Sequence, residues 1–323
     1  MSAARQPTAE GTLAALQSLQ ELGLPMTPLL PVTIRGVNCF AKAESLQPIG
    51  AFKIRGAWWR LVNLTDEEAR RGVVAVSSGN HAQGVAWAAK RLGIRATIVM
   101  PRDAPRVKLD ATRELGAEIV LYERPGEDRD EVAARVLKER GGALVHAFGD
   151  PLVIEGQGSA AHEANAQMGF RRRPSRFVVC CGGGGLAAGL ALANPDAAIH
   201  IVEPEGWDVV GRSLASGEIV RMGDGAPKTI CDALQPDATK PMNLGVLRGR
   251  AEPGVSVTDE EVRTAQRFAF AKLRLVLEPG GAAALAAALA GKVPLDEDTV
   301  IMLTGGNTDA ARFAAMLTEG AEV

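Results

Sequence analysis

Short runs of β-branched residues alternate along the chain with stretches in which apolar residues recur at helical spacing. This alternation is typical of βαβ units, in which each strand of a parallel sheet is followed by a helix. The first series predicts strands at 73–76, 96–100, 118–121 and 143–146, and helices at 81–92, 105–115 and 129–139. We interpret residues 72–146 as a compact α/β unit.

A second series with the same pattern follows. It predicts a helix at 158–168, a strand at 177–181, a helix from Leu186, a strand at 200–203, helices at 258–273 and 281–290, and a strand at 299–303. Residues 204–254 are rich in turn residues and predict no regular element. In open α/β sheets ligands bind at the carboxyl ends of strands, so the loops after Val76, Cys181 and Leu303 are the candidate sites of chemistry.

The composition disfavours several classes of function. Among 323 residues, 36 Lys and Arg stand against 38 Asp and Glu, which leaves no basic excess for nucleic acid or anionic lipid. With 4 Trp, 1 Tyr and 8 Phe, the chain is also poor in base-stacking side chains. The longest apolar run, at 282–290, is far shorter than the ~20 residues that a membrane span requires.

The first residues, 1–11, lack the apolar core of a signal peptide, so we expect a cytoplasmic protein. Four cysteines show neither the paired spacing of a zinc site nor the density of a disulfide framework. Glycine is abundant, at 36 residues, so the backbone must make several close approaches or positive-φ turns.

A run of four glycines follows a predicted strand and opens a predicted helix. These residues are Gly182, Gly183, Gly184 and Gly185. Their N–H groups can turn toward a phosphate, and the helix N-terminus adds a partial positive charge. The loop and Ala187 also fit the dinucleotide fingerprint, with Glu203 about 20 residues on, where a ribose-binding acid would lie. The loop therefore predicts an anion site and leaves a nicotinamide dinucleotide open as its ligand.

Two further motifs carry polar groups beside apolar ones. Lys53 lies within Ile49-Gly50-Ala51-Phe52-Lys53-Ile54, and a lysine in such surroundings has a depressed pKa and can act as nucleophile or base. The cluster Ser77-Ser78-Gly79-Asn80-His81 lies at a strand-to-helix turn, where hydroxyl and N–H groups suit a carboxylate. Each motif alone is weak evidence, because such lysines are more often solvated and such histidines more often structural.

Together, in this order and spacing, the three motifs resemble those of one family. The chain is similar to the fold-type II pyridoxal-phosphate enzymes of the serine/threonine dehydratase and serine racemase group. The resemblance extends from Thr27-Pro28-Leu29 to Thr304-Gly305-Gly306-Asn307, which is nearly the whole chain. It implies pyridoxal 5'-phosphate as the cofactor and assigns the glycine loop to its phosphate, which disfavours the dinucleotide.

The resemblance implies a role toward the cofactor for each motif. Lys53 would form the Schiff base, and Phe52 would pack against the ring. Asn80 would hydrogen-bond the ring hydroxyl, the glycines at 182–185 would bind the phosphate, and Thr304 would face the ring nitrogen.

The same resemblance implies the residues that contact the substrate. Ser77, Asn80 and His81 would bind its carboxylate. Ser78 would be an acid/base residue on the cofactor face opposite the lysine, as racemisation requires. Arg129 lies where racemases and hydroxyaspartate lyases of the family tend to carry arginine, and its guanidinium could bind a second carboxylate.

The fold is also implied by the resemblance. It has two open, twisted, mostly parallel sheets flanked by helices, like tryptophan synthase β, with the cofactor between two domains. Residues 1–71 and 147–323 would form the large cofactor-binding domain, and residues 72–146 the small domain that gates the substrate. A homodimer is implied as well.

A divalent cation is not expected. A metal-binding subset of the family supplies a glutamate, a backbone carbonyl and a further acid. Glu203 and Trp207 match the first two positions, but the third is Val209, with Asp208 one residue early. Because Val209 offers no side-chain oxygen, we predict no metal site.

The expected activity is β-elimination on a small hydroxy amino acid such as L-threonine or L-serine, giving a 2-oxo acid and ammonia. Thr304 supports this expectation, because a neutral hydroxyl cannot force the ring nitrogen to be protonated, which favours elimination over transamination. Serine racemase and 3-hydroxyaspartate dehydratase remain alternatives, and a nicotinamide-dinucleotide-binding protein is the alternative outside these enzymes.

Overall fold

A computed structural model describes residues 5–77, 79–104, 106–123, 126–223 and 225–318. They form two sheets flanked by helices, which confirms the predicted fold class. The strands are β1 (Leu29–Ile34), β2 (Val37–Lys42), β3 (Val73–Val76), β4 (Ala96–Pro101), β5 (Glu118–Tyr122), β6 (Ala143–Leu144), β7 (Arg176–Cys180), β8 (Ala198–Pro204), β9 (Val255–Val257) and β10 (Thr299–Met302). The helices are α1 (Ala9–Glu21), α2 (Lys53–Val62), α3 (Asp66–Arg71), α4 (Asn80–Leu92), α5 (Arg106–Glu114), α6 (Arg129–Arg140), α7 (Pro151–Met168), α8 (Gly185–Ala193), α9 (Val209–Ser216), α10 (Pro241–Leu247), α11 (Asp259–Phe268), α12 (Pro279–Leu289) and α13 (Ala310–Thr318).

The larger sheet has the strand order β1-β2-β10-β7-β8-β9. Its neighbouring strands are parallel except for β1 and β2, which form an antiparallel hairpin at one edge. The turn residues of this hairpin, Arg35 and Gly36, have φ values of 51° and 80°. Two positive φ angles give a turn whose twist matches the right-handed twist of the strands.

The smaller sheet has the order β5-β4-β3-β6 and is parallel throughout. Its strands lie between Val73 and Leu144, inside the segment predicted as the small domain. The bounds of that domain, 72 and 146, stay a prediction. The loops after β3, β7 and β10 are those that the sequence singles out as sites of chemistry.

The structure departs from the predicted elements in several places: no element is predicted in residues 1–71, which contain α1, β1, β2, α2 and α3, and helix α7 is longer than predicted. Helix α7 begins at Pro151 rather than at residue 158, because Asp150 accepts hydrogen bonds from two N–H groups of the first turn and proline suits that turn. Gly156 lies inside the helix, where an added Cβ would be 2.5 Å from the Cα of Gly56 on α2. Gly156 is therefore the point at which α7 and α2 pack closely.

Two smaller departures concern β6 and the turn-rich segment. Strand β6 covers only Ala143–Leu144, although 143–146 is predicted. Residues 204–254 contain α9 and α10, although no element is predicted there. The first turn of α9 donates backbone N–H groups to the carboxylate of Glu203, a contact that the composition of the segment does not reveal.

Four charged side chains are buried together between β2, α2 and α7. Arg55 donates to Glu44 over 2.7 and 2.8 Å and to Glu163 over 2.8 and 2.7 Å. The Nζ atom of Lys42 lies 2.6 Å from Oε2 of Glu163. All four side chains are at most 5% exposed. Every buried charge here has an opposite charge in contact, which is the condition for burying it without a large loss of stability.

This network fixes the start of α2. Burial by itself would raise the pKa of Glu44, but the charge and hydrogen bonds of Arg55 outweigh it and lower that pKa to about 2. Glu44 therefore stays ionised at neutral pH. Since Arg55 lies in the first turn of α2, two residues after Lys53, the ion pairs also set the position of Lys53.

We expect Arg55→Met to lower the free energy of unfolding by about 3–5 kcal/mol, because the carboxylates of Glu44 and Glu163 lose their main partner inside the core. The exposed pair Arg113–Asp110 gives a matched control, since Arg113→Met should change the free energy by less than about 0.5 kcal/mol. Urea unfolding followed by circular dichroism measures both variants. Equal effects of the two substitutions would contradict the role of the network.

Candidate active site

A cavity of about 700 Å³ is lined by loops and helix starts from both sheets. All predicted site residues that the structure describes line it, namely Phe52, Lys53, Ser77, Asn80, His81, Arg129, Gly182, Gly183, Gly184, Gly185 and Thr304. Ser78, the predicted acid/base residue, lies outside the described residues. Tertiary packing thus brings together three motifs that are far apart in the sequence.

Lys53 is the first residue of α2, and its exposed surface faces the cavity. Its Nζ atom donates a hydrogen bond of 2.7 Å to the carbonyl oxygen of Ala147 and lies 5.1 Å from the centre of the Phe52 ring. Among the described residues, no carboxylate lies within ion-pair distance of this amine. Burial lowers the pKa of Lys53 to about 8. A substantial share of the amine is therefore neutral near physiological pH, and a neutral amine can act as nucleophile or base.

The glycine loop joins β7 to α8. Within the described part of the chain, the N–H groups of Gly182, Gly183 and Gly185 donate to no protein acceptor. The carbonyl oxygen of Gly183 is held by the side chains of Asn243, at 2.9 Å, and Thr239, at 3.0 Å. These bonds hold that carbonyl oxygen in place beside free N–H donors at a helix N-terminus, an arrangement that suits an anion such as phosphate.

Close packing explains why the loop needs glycine. A Cβ added to Gly183 would lie 2.2 Å from Cδ2 of Phe148, which is far inside van der Waals contact. Gly184 has a φ of 90°, a conformation that residues with a side chain rarely adopt. The loop is thus more constrained than an ordinary turn.

Thr304 lies directly beside Cys180 at the floor of the cavity. The hydroxyl oxygen of Thr304 is 3.0 Å from the sulfur of Cys180, and both residues are buried. Burial raises the pKa of the Cys180 thiol to about 11, so the sulfur keeps its proton. The carbonyl oxygen of Thr304 accepts the N–H of Phe52, which ties this residue to the start of α2. Two neutral polar groups therefore face the cavity next to Lys53.

The polar cluster after β3 presents Asn80 at the N-terminus of α4. Its Oδ1 atom accepts a hydrogen bond of 2.8 Å from Asn307, and its Nδ2 atom donates one of 2.5 Å to Glu278. The hydroxyl oxygen of Ser77 accepts the N–H of Gly79 at 3.2 Å, which leaves the hydroxyl proton free to donate. A helix N-terminus with these donors suits a carboxylate.

The imidazole of His81 is bound to the backbone. Its Nε2 atom lies 2.8 Å from the carbonyl oxygen of Val145, and because a carbonyl only accepts, the ring proton is on Nε2. Burial and the charge of Lys53 lower the pKa of His81 to about 3, so the ring is neutral. Its Nδ1 atom is then an acceptor and cannot donate to a carboxylate. The group of His81 that can donate to an anion in this state is its backbone N–H.

Two ion pairs lie at the mouth of the cavity. Arg129 at the start of α6 is 3.2 Å from Asp237, and Lys108 of α5 is 2.6 Å from Asp232. Both pairs join a helix beside the smaller sheet to the segment before α10. Arg129 is 47% exposed, so its guanidinium is accessible to a ligand and its attraction to Asp237 is weakened by solvent.

The motifs in the sequence did not reveal Glu278, a buried carboxyl that lines the cavity. Burial raises the pKa of Glu278 to about 7. In the sequence it directly precedes Pro279, where an acid is typical of a helix start. Its contact is with Asn80, 198 residues earlier, and no local signal predicts it.

Glu203, the acid that a dinucleotide or a metal site would use, does not line the cavity. Its oxygens accept the N–H groups of Val210 and Gly211 at 2.9 and 2.8 Å. Within the described ranges no group of three or more His, Cys, Asp or Glu side chains is placed to hold a metal ion, and the expected absence of a metal stays a prediction. No helix in those ranges has the length and apolar character needed to cross a membrane.

Comparison with known proteins gives matches along most of the chain. The family described as "Pyridoxal-phosphate dependent enzyme" matches residues 20–305. The chain is 38% identical over 288 residues to the L-threo-3-hydroxyaspartate ammonia-lyase of Saccharomyces cerevisiae, covering 88% of this chain and 87% of the yeast protein. It is 34% identical over 321 residues to the serine racemase of Schizosaccharomyces pombe, covering 97% of this chain and 98% of the racemase. The crystal structure of a threonine deaminase from T.th. matches with a TM-score of 0.84 and 39% identity, covering 94% of this chain and 99% of the other.

These matches agree with the geometry of the cavity, in which a buried amine, free N–H groups and a neutral hydroxyl converge. They also confirm the fold-type II resemblance and favour pyridoxal phosphate over the dinucleotide that the glycine loop left open. The chain therefore belongs to the pyridoxal-phosphate-dependent enzymes, in their ammonia-lyase and racemase group, and its cofactor is pyridoxal 5'-phosphate.

Proposed function

We propose that this protein eliminates the β-hydroxyl of a small hydroxy amino acid, L-threonine or L-serine, and releases a 2-oxo acid and ammonia. One observation carries the proposal: a buried lysine amine of lowered pKa shares a cavity with the free N–H groups of a glycine loop. The similarity to a threonine deaminase over 94% of the chain supports the reaction class.

The residues of the cavity fit the cofactor. The N–H groups of the loop at 182–185 would hold its phosphate, and Thr304 would offer a hydroxyl to its ring nitrogen. The amide of Asn80 uses one N–H for Glu278 and its oxygen for Asn307. Its second N–H would donate to the ring hydroxyl oxygen. When bound, the cofactor supplies an electron-accepting ring that stabilises negative charge at the substrate α-carbon.

Lys53 has two tasks in the proposed reaction. Its neutral amine would hold the cofactor covalently, and as a free amine the same Nζ atom would take the α-proton of the substrate. Both tasks need a neutral amine, which burial supplies by lowering the pKa. The backbone that carries Lys53 is tied to Thr304 through the N–H of Phe52.

The substrate carboxylate would bind at the N-terminus of α4. Ser77 would donate its hydroxyl proton, and the backbone N–H groups at Asn80 and His81 would donate along the helix axis. A carboxylate bound there would lie in the same cavity as the amine of Lys53.

A second candidate is the elimination of 3-hydroxyaspartate. Arg129 lines the cavity and is accessible, and a guanidinium binds a carboxylate with two parallel hydrogen bonds. A second carboxylate on the substrate would compete with Asp237 for Arg129. The yeast relative named for this activity is 38% identical to the chain.

Several sequence predictions remain proposals. Racemisation of serine would need Ser78 as the proton donor opposite Lys53. The homodimer rests on the resemblance, the cytoplasmic location on the N-terminal sequence, and the domain bounds 1–71 with 147–323 and 72–146 on the sequence pattern together with the resemblance.

The activity is tested by incubating the purified holoenzyme with L-threonine, L-serine and L-threo-3-hydroxyaspartate, and by measuring 2-oxo acid, ammonia and the chirality of recovered serine. We expect oxo acid from threonine or serine, and Lys53→Ala should abolish it. If hydroxyaspartate is the substrate, Arg129→Met should lower its turnover at least tenfold more than that of serine. No oxo acid from any of the three would refute the proposal, and D-serine without oxo acid would favour a racemase.

The lowered pKa of Lys53 predicts how cofactor uptake depends on pH. Below pH 8 most of the amine is protonated, so the rate at which apoprotein gains the visible absorbance of bound cofactor should rise through a midpoint near pH 8. In the unfolded chain the amine keeps its proton up to about pH 10.4. Between pH 8 and about pH 10.4 the unfolded state therefore binds more protons than the folded state, and Lys53 stabilises the folded state increasingly as the pH rises. Stopped-flow absorbance measures the rate, with Lys90→Met as a surface control. A midpoint near 10 would show that burial does not tune this amine.

Gly183→Ala should weaken pyridoxal 5'-phosphate binding at least about tenfold, or ~1.4 kcal/mol, because the new Cβ overlaps the Phe148 ring and displaces the loop. The double variant Gly183→Ala/Phe148→Ala should recover part of the affinity, since Phe148→Ala removes the Cγ, Cδ2 and Cε2 atoms that the new Cβ overlaps. Titration of apoprotein with the cofactor, followed by absorbance, gives both values. Unchanged affinity in the single variant would mean that the loop does not hold the phosphate.

A further inference from the structure

Glu278 is a carboxyl inside the cavity to which the proposed reaction gives no task. Its side chain is 5% exposed and lines the cavity. It occupies the N-cap position of α12, yet its side chain makes no capping hydrogen bond to that helix. An acid at this position normally accepts N–H groups of the first turn. Here the carboxyl points instead to Asn80.

A chain of amides fixes the orientation of Asn80. The Nδ2 atom of Asn307 donates to the carbonyl oxygen of Ile49 and to Oδ1 of Asn80, both at 2.8 Å. A backbone carbonyl can only accept, so the side-chain atom of Asn307 that contacts Ile49 is its nitrogen. The side-chain atom of Asn80 that accepts from this nitrogen is therefore its oxygen. The nitrogen of Asn80 must then face Glu278, and it lies 2.5 Å from Oε1. One N–H of Asn80 is used in this way and the other is left for a ligand.

Glu278 has no cationic partner within the described part of the chain. Among the described residues no Lys, Arg or His lies within ion-pair distance of its carboxyl, and its Oε2 atom accepts no hydrogen bond. The charged or titratable groups around it are Lys108 of α5, Asp232 of the turn before α10 and Cys180 of β7. Lys108 and Asp232 pair with each other at 2.6 Å, so their effects on Glu278 largely cancel. Burial then dominates and raises the pKa of Glu278 to about 7.

We propose that Glu278 fixes the amide of Asn80 through Oε1 and holds a proton beside the ligand oxygen that Asn80 binds. This rests on the proposed function, in which that oxygen is the ring hydroxyl oxygen of the cofactor. Two adjacent negative charges in a buried site are strongly disfavoured, so either the carboxyl or the ring oxygen carries the proton. Glu278 is thus a positioning residue for Asn80 and a proton store at this edge of the cofactor.

The test is a pH titration of the visible absorbance of the bound cofactor. Glu278→Gln keeps an oxygen for Asn80 and the volume of the side chain but cannot ionise. The absorbance midpoint of the variant should differ from that of the wild type by about one pH unit or more, which is the size of effect that a neighbouring charge has on a pKa. An unchanged midpoint would overturn the proton-holding role.

Two further variants distinguish the positioning role of Glu278 from the effect of its charge. Glu278→Ala removes the acceptor as well, so it should weaken cofactor affinity at least tenfold more than Glu278→Gln does. Equal affinities would overturn the positioning role. Glu203→Gln is the matched control, because Glu203 is a buried carboxyl with a pKa raised by burial to about 8 but lies outside the cavity. It should leave the absorbance titration as in the wild type, and a shift equal to that of Glu278→Gln would overturn the proposal.

A measurement that keeps Glu278 covers the case in which its variants fail to fold. Infrared spectroscopy of holoenzyme carrying Glu203→Gln and ¹³C-labelled glutamate should show a protonated carboxyl band at pH 6 that is lost by pH 9. Absence of the band at pH 6 would overturn the proposal. Failure of the proposed function is distinguishable: oxo acid production with an unshifted titration rejects only the role of Glu278, and a shifted titration without oxo acid rejects only the reaction.

Discussion

The contact of Arg55 with Glu44 and Glu163 decides where helix α2 begins, and the active site depends on that point. The guanidinium joins the residues after β2 to α7 across the first turn of α2. Lys53 therefore enters the cavity from a rigid helix start rather than from a loop. A nucleophile must be held within a fraction of an ångström of its productive position, and buried charges joined by several hydrogen bonds supply that rigidity.

The backbone supplies much of the binding capacity of the cavity. Free N–H groups of the glycine loop lie at the N-terminus of α8, and the donors after β3 lie at the N-terminus of α4. Both sets lie at the carboxyl ends of parallel strands, where helices begin in this architecture. Two anionic groups, a phosphate and a carboxylate, can thus be bound by helix ends from two different sheets.

Burial favours the uncharged form of four ionisable groups in the cavity. It lowers the pKa of Lys53 to about 8, of His81 to about 3 and of His146 to about 4, and it raises the pKa of Glu278 to about 7. In each case removal from water disfavours the charged form. The two imidazoles are therefore uncharged at neutral pH, and proton transfers near neutral pH become possible at Lys53 and Glu278.

The sequence by itself determined the features that depend on local order. The glycine run after a strand, the lysine in an apolar segment and the polar turn before α4 were each predicted where they occur, because a tight loop or a helix start has requirements that neighbouring residues meet. The alternation of strands and helices likewise predicted both parallel series. Helix α7 was predicted too short: it begins at Pro151 with Asp150 as its cap, and its Gly156 packs against Gly56 of α2.

Tertiary structure alone decided the contacts between distant segments. Glu278 meets Asn80, Cys180 meets Thr304, and the ring of His81 is bound to the backbone carbonyl of Val145. Such pairs leave no periodic signal, because the two partners are separated by tens to hundreds of residues and meet only when the sheets pack. The residue types that provide the chemistry are therefore readable from the sequence, while their protonation states depend on burial and on partners that only the folded chain supplies.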